Sequence, residues 1–169
     1  MARAGIALGS NLGDRMAHLQ SACDHLREIA DGSEMFLTAP VYQSEPCLCP
    51  PNSPDFLNTV VEFEFHGSAD DLLEKTQAIQ AKIGRVEKAE RNAPRVIDLD
   101  MLYLGDAVVQ NERLELPHPR MAERRFVLKP LADIRPELVL PGELVTVAEL
   151  LGLLPYDDVP LVAMEEGLD

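Results

Sequence analysis

The sequence predicts an α+β protein, a ferredoxin-like plait (βαββαβ) with a C-terminal hairpin and short helices. Three observations predict it. Apolar residues alternate at period two over residues 60–65 (VVEFEF) and 96–104 (VIDLDMLYL), the mark of half-buried strands. They recur every three to four residues over two longer segments, the mark of amphipathic helices. These patterns follow one another as β-α-β-β-α-β, with no repeat, linker or low-complexity tract between them. A chain of 169 residues is long enough to bury a core, so residues 1–169 are expected to form a single domain.

The first strand is read at residues 5–8 (GIAL) and ends at Gly9-Ser10-Asn11. A helix follows from about Asp14, with Met16, Leu19, Cys23, Leu26 and Ile29 on one face and Gly32 as terminator. Residues 34–43 (EMFLTAPVYQ) read as a second strand, although Pro40 has no N–H to give and demotes part of it to an edge or bulge. Residues 44–55 hold four prolines and no periodicity, and read as a loop. After the strand at 60–65, Ser68 opens a capping box with Asp71. Leu72, Thr76, Ile79 and Ile83 then mark a helix closed by Gly84. The strand at 96–104 is followed by a hairpin from Val108-Val109 to residues 114–116, and by short helices over 126–133 and 146–153. The segment after Arg135 carries eight acidic and no basic residues, and is expected to be a solvated surface.

Charge narrows the possible partners. Fifteen Lys and Arg stand against 29 Asp and Glu, a net of -14, so nucleic acid and anionic membranes are not expected to bind. The average conceals two basic islands. Residues 82–95 hold Lys82, Arg85, Lys88, Arg91 and Arg95 against Glu87 and Glu90, a net of +3. Residues 113–129 hold Arg113, Arg120, Arg124, Arg125 and Lys129 against Glu115 and Glu123, again +3, leaving -20 for the rest. Two basic islands in an acidic chain suit a compact polyanionic ligand. No apolar stretch approaches the ~20 residues of a membrane span. Three cysteines and no evident leader peptide suit a reducing cytoplasm. Cys47 and Cys49, one residue apart with no second ligand pair, make a poor zinc site.

The sharpest chemical signal is the strand after the first island. Ile97, Leu99, Met101 and Tyr103 are read as its apolar face. Asp98 and Asp100 then project together from the other, roughly 6–7 Å apart. Two such carboxylates repel each other and call for cations. A pair of Mg²⁺ ions completed by phosphate oxygens and water meets that need; so does a solvent-facing strand paired to nearby arginines. Arg91 and Arg95 enter this strand, and guanidinium forks grip phosphate oxygens in pairs, as a site for Mg-nucleotide requires.

Residues 91–102 (RNAPRVIDLDML) closely resemble the signature of 6-hydroxymethyl-7,8-dihydropterin pyrophosphokinase, an enzyme family of folate biosynthesis. The likeness extends in order through residues 6–13 (IALGSNLG), 54–58 (PDFLN) and Gly84-Arg85. It continues through residues 116–119 (LPHP) with Arg124, Phe126 and Pro130-Leu131. The resemblance implies transfer of pyrophosphate from ATP to the hydroxymethyl group of the pterin, with release of AMP. It implies that Asp98 and Asp100 hold two Mg²⁺ ions, and that Arg85 and Arg95 are catalytic beside them. By position, Gln77, Arg85, Arg95, Arg113, His118 and Arg124 match ATP-binding residues. Ser44, Phe56, Asn58 and Phe126 match pterin-binding ones. The two phenylalanines match stacking plates, and Asn58 an amide that both donates and accepts along the ring edge. Taken alone, each phenylalanine also reads as an ordinary core residue, and His118 between two prolines as a turn histidine.

Three positions depart from the family pattern. Glu87 stands where many relatives have a basic residue, Asn92 where some have a large aromatic, and Gln80 where some have a helix glutamate. With a loop at residues 44–49 that is one residue longer than in some relatives, these departures imply slower or weaker turnover rather than none. The expected partners are ATP and 6-hydroxymethyl-7,8-dihydropterin, in a monomer or weak homodimer. Two other readings stay open: a non-catalytic plait that binds a small anion, and a phosphoryl or nucleotidyl transferase with another acceptor.

Overall fold

Alternating residues at the start of the chain build β1 (Ala2–Ser10), which sends Ala4, Ile6 and Leu8 into the core on one face. The computed structural model describes residues 2–30, 35–44, 55–84, 96–155 and 161–169. α1 (Arg15–Ile29) begins where the Asp14 carboxylate accepts the Ala17 N–H at 3.2 Å, and it buries Leu19, Ala22, Cys23 and Leu26. It stops with Ala30 as its cap. Gly32, the expected terminator, lies outside the described residues. The segment at 34–43 yields two short strands, β2 (Leu37–Thr38) and β3 (Tyr42–Ser44), with Pro40 in the break between them. Both pair with β4 (Phe56–Phe65), which starts four residues earlier than its alternation suggested and so draws Phe56 and Asn58 into the ladder.

α2 (Ala69–Ile83) carries the expected capping box. Asp71 N–H donates to Ser68 Oγ at 3.1 Å, and Ser68 N–H to the Asp71 carboxylate at 3.0 Å. Those bonds hold the Asp71 carboxyl below its ordinary range. Gly84 closes the helix at φ 118°, where a side chain would be strained. β5 (Asp98–Leu104) follows, then a hairpin of β6 (Val109–Gln110) and β7 (Glu115–Leu116), as the turn pattern predicted. A 3₁₀ turn (Met121–Glu123), α3 (Arg125–Ile134), α4 (Val147–Leu153) and β8 (Leu161–Ala163) complete the described chain.

The main sheet runs β5-β1-β4-β3-β8, with β2 also on β4, and each of these pairs is antiparallel. α1 and α2 cover one face, where Leu19, Leu26, Leu72 and Ile79 meet Ile6, Val61, Phe63 and Met101. α3 and α4 cover the other, packing Val127, Leu128, Leu131 and Val147 on Val60, Leu102 and Tyr103. Each large apolar side chain removed from water contributes about 1.5–3 kcal/mol, which binds both helix layers to the sheet.

Two sequence expectations are corrected. Tyr103 does not share a face with Leu99 and Met101. The β1–β5 register shifts between Gly5, opposite Tyr103, and Ile6, opposite Met101, so Leu102 is the extra residue of a bulge. The bulge turns Tyr103 to the α3 side, over Gly5, where an added Cβ would lie 2.4 Å from its ring. There its hydroxyl donates to fully buried Glu62, which also receives Arg3 and, at 2.6 and 2.8 Å, Arg135. Burial and the Glu62 charge hold the Tyr103 phenol well above its ordinary range. The acidic segment after Arg135 is likewise more than solvated surface. Leu140 and Val147 are core, and β8 adds a strand to β3. Asp169 is tied to α1 through Gln20 at 2.9 Å and Arg27 at 2.7 Å.

Candidate functional site

The register of three strands aligns the candidate residues. Asp98 lies opposite Gly9 on β1, and Gly9 lies opposite Asn58 on β4, so the three form one row across the sheet. Asp100, two residues on, lies opposite Ala7. Leu99 and Met101 enter the core under α1 and α2, so alternation turns Asp98 and Asp100 to the opposite face. Asp98 is half-buried and Asp100 exposed. With strands about 4.8 Å apart, Asp98 and Asn58 are anchored roughly 10 Å apart.

Gly9 is what leaves the row open. A Cβ there would stand 3.4 Å from Asn58 Oδ1 and 3.8 Å from a Phe56 ring carbon. Asn58 and the Phe56 edge therefore border the space over Gly9, with the carboxylates beyond it. Asn58 is buried, and its Nδ2 donates to Ser44 Oγ at 2.8 Å, which turns Oδ1 toward Gly9. Ser44 itself pairs with Phe56 in the β3–β4 ladder. The sequence marks Asn58, Phe56 and Ser44 as candidates through the family likeness, and Gly9 only as the start of the turn that ends the first strand and as part of the matched run 6–13. Its place inside that run (IALGSNLG) is the available signal.

His118 and Arg124 flank the 3₁₀ turn. His118 N–H donates to Leu102 O at 2.8 Å, which holds this segment against β5 at its bulge. The imidazole Nδ1 accepts the Arg120 N–H at 3.1 Å, so the neutral ring carries its proton on Nε2, as a donor. Burial lowers the His118 pKa below its ordinary value, and Arg124 and Arg120 lower it further. The Arg124 guanidinium lies 5.6 Å from the centre of the Phe126 ring. Phe126, in the first turn of α3, is half-buried against the cluster on the same side of the sheet as Tyr103.

The remaining candidates are more dispersed. Gln77 is exposed on α2, and Arg113 is exposed in the β6–β7 turn, where its N–H donates to Asn111 Oδ1 at 2.9 Å. Arg85 and Arg95 lie outside the described residues, as do Glu87, Asn92, Cys47 and Cys49. Among the described residues no cluster of three or more His, Cys, Asp or Glu is placed to hold a metal. Asp98 and Asp100 are hard oxygen donors, and only two. That set fits Mg²⁺, which binds one or two carboxylates and completes its shell with phosphate oxygens and water. No helix among the described residues is long and apolar enough to cross a membrane.

The fold is shared with solved structures of HPPK-DHPS. The wild-type Plasmodium falciparum chain with SDX-DHP superposes with a TM-score of 0.69 at 14% identity. An HPPK-DHPS in complex with substrates superposes at 0.70 and 12%. Each match covers 89% of this chain, which spans less than half of those chains, 44% and 43%. These likenesses define a mixed α/β protein with a helix-covered antiparallel sheet. Residues 5–136 match the family described as 7,8-dihydro-6-hydroxymethylpterin-pyrophosphokinase (HPPK). The 2-amino-4-hydroxy-6-hydroxymethyldihydropteridine pyrophosphokinase of Pseudomonas aeruginosa is 37% identical over 93% of this chain and 94% of its own length. That of Methylorubrum extorquens is 42% identical over 91% and 94%. The folic acid synthesis protein fol1 of Schizosaccharomyces pombe is 36% identical over 92% of this chain and 21% of its own. The chain belongs to the HPPK family: it is a pyrophosphokinase, and its function is pyrophosphate transfer in folate biosynthesis.

Proposed function

We propose that the chain transfers the terminal pyrophosphate of ATP to the hydroxymethyl group of 6-hydroxymethyl-7,8-dihydropterin and releases AMP. The Asp98–Gly9–Asn58 row carries this reading, because it sets a carboxylate pair and an amide on one sheet face with an open glycine between them. The pterin ring occupies the Asn58 side, stacked on Phe56 and Phe126, with Asn58 Oδ1 accepting from its N–H edge and Ser44 holding the amide in that orientation. A ring about 6–7 Å long laid from Asn58 toward β5 directs its hydroxymethyl group at the carboxylate side.

The pterin hydroxyl oxygen forms a bond to the β-phosphorus and the bond to the bridging oxygen of the α-phosphate breaks, so AMP leaves and the hydroxyl proton passes to solvent. Asp98 and Asp100 would hold two Mg²⁺ ions, which supply charge stabilisation on the triphosphate and a lowered hydroxyl pKa. Arg85, Arg95, Arg113 and Arg124 bind phosphate oxygens as cations, and Gln77 contacts the nucleotide. His118, kept neutral by its surroundings, serves through its Nε2–H as a hydrogen-bond donor. The β5-β1-β4 order with β2 and β3 on the far side of β4, and α1 and α2 on one face, supports a ferredoxin-like plait for the core of a single pyrophosphokinase domain over 1–169. Its net charge of -14 suits a freely dissolved cytoplasmic enzyme, monomeric or weakly dimeric, that binds neither nucleic acid nor membrane.

AMP release is the test. It is expected to depend jointly on ATP, Mg²⁺ and the hydroxymethyl pterin. ADP as the product, or turnover without the pterin, would overturn the assignment.

A further inference from the structure

Gln80 stands on α2, yet its side chain acts on β5. It is 8% exposed, and its Oε1 accepts the Leu99 N–H at 2.7 Å inside the protein. Leu99 is the residue between Asp98 and Asp100. β5 is the outer strand of the sheet, and this N–H is turned away from β1, where no further strand of the described chain takes it. Three residues on, the outer edge is met again, this time by the His118 N–H on Leu102 O. Two contacts thus hold the outer backbone of β5, one between the two carboxylates and one just beyond them. The Gln80 carbonyl also accepts the Gly84 N–H at 3.1 Å, closing the helix just before Arg85.

We infer that Gln80 is a positioning residue for the carboxylate pair: it pins the backbone between Asp98 and Asp100 and so sets the direction in which both carboxylates meet divalent cations. This rests on the reading of Asp98 and Asp100 as the Mg²⁺ holders. A buried N–H left without an acceptor drives its strand to twist toward water or another acceptor, and here that twist would splay the two aspartates. An amide does the work without placing a third negative charge beside two carboxylates that already repel each other.

The test uses the full chain with Gln80→Met, which keeps the volume and removes the acceptor, and Gln80→Glu, which keeps an acceptor. Gln80→Asn, whose acceptor is withdrawn by one methylene, is the second variant should Gln80→Met fail to fold. Three quantities are read: exchange of the Leu99 amide by NMR, calorimetric binding of a non-hydrolysable ATP analogue across a Mg²⁺ series, and binding of the pterin alone. Gln80→Met is expected to speed Leu99 exchange at least tenfold and to raise the half-saturating Mg²⁺ about five- to tenfold. Pterin affinity should stay within twofold, and Gln80→Glu should restore Leu99 protection with a Mg²⁺ requirement at or below the wild-type value. Faster Leu99 exchange with an unchanged Mg²⁺ requirement would make Gln80 structural only and overturn the inference. Analogue binding by the unsubstituted chain that ignores Mg²⁺ would overturn the metal reading itself, a failure told apart because it appears before any substitution.

Discussion

Asp98 and Asn58 face the same side of the sheet across Gly9, one on each neighbouring strand, with roughly 10 Å between their backbones. A carboxylate suited to a hard cation and an amide suited to a heterocycle edge are thereby held at a fixed separation by ladder hydrogen bonds rather than by loops. A site that joins two substrates gains from that rigidity, since the separation does not have to be restored at each turnover.

Gly9→Ala tests the open row. The new methyl would meet Asn58 Oδ1 at 3.4 Å, an ordinary contact, so stability in urea should change by less than about 1 kcal/mol. The methyl would nevertheless fill the space over Gly9, and pterin affinity is expected to fall about tenfold, ~1.4 kcal/mol. Wild-type affinity by calorimetry would show that the ring does not lie there.

Asp98→Ala and Asp100→Ala should each lower pyrophosphate transfer about a thousandfold, ~4 kcal/mol of transition-state stabilisation. Both lie on the sheet face away from the α1–α2 core, Asp98 half-buried and Asp100 exposed, so circular dichroism and melting temperature should stay close to wild type. Near-normal AMP release by either variant would remove that residue from the metal assignment.

The depressed His118 pKa makes a pH prediction. The folded protein binds this proton less readily than the unfolded chain, whose value is near 6.5. The stability it lends is therefore fully present above about pH 6.5 and is lost as pH falls through that value toward the lower folded pKa. His118→Asn, which does not titrate, should show a stability gap to wild type that narrows between pH 7.5 and 5.5 in urea melts. A gap independent of pH would contradict the shift.

Gly5→Ala should be far more damaging than its size suggests. Its Cβ would overlap the Tyr103 ring at 2.4 Å, and moving that ring pulls the hydroxyl from buried Glu62. Overpacking of this kind costs about 1–3 kcal/mol. Denaturant unfolding measures it, and a loss under 0.5 kcal/mol, below the ~1 kcal/mol floor of such clashes, would mean that the ring shifts freely.

Much of the fold was legible because it rests on local rules. The Ser68 capping box, the Gly84 cap, the β6–β7 turn and the alternation in β4 each follow from residues within a few positions of one another. Asp98 and Asp100 were legible for the same reason, as residues two apart on a regular stretch of strand share a face, and the bulge falls beyond them at Leu102. Tyr103 was misplaced because a bulge is decided between strands: the β1–β5 register shifts opposite Gly5, about a hundred residues away in the chain. β8 escaped notice because three short residues gain their strand character from an open edge of β3 that periodicity does not show.

The sequence by itself therefore determined the element order, the carboxylate pair and the family likeness, because each is carried by neighbouring residues or by their order along the chain. Only the tertiary structure decided that Asp98, Gly9 and Asn58 form one row, that Ser44 turns the Asn58 amide, and that Gln80 holds Leu99. Those relations come from strand register and helix packing between residues 14 to 89 positions apart, where cross-chain hydrogen bonds and shape, rather than local preference, set the outcome.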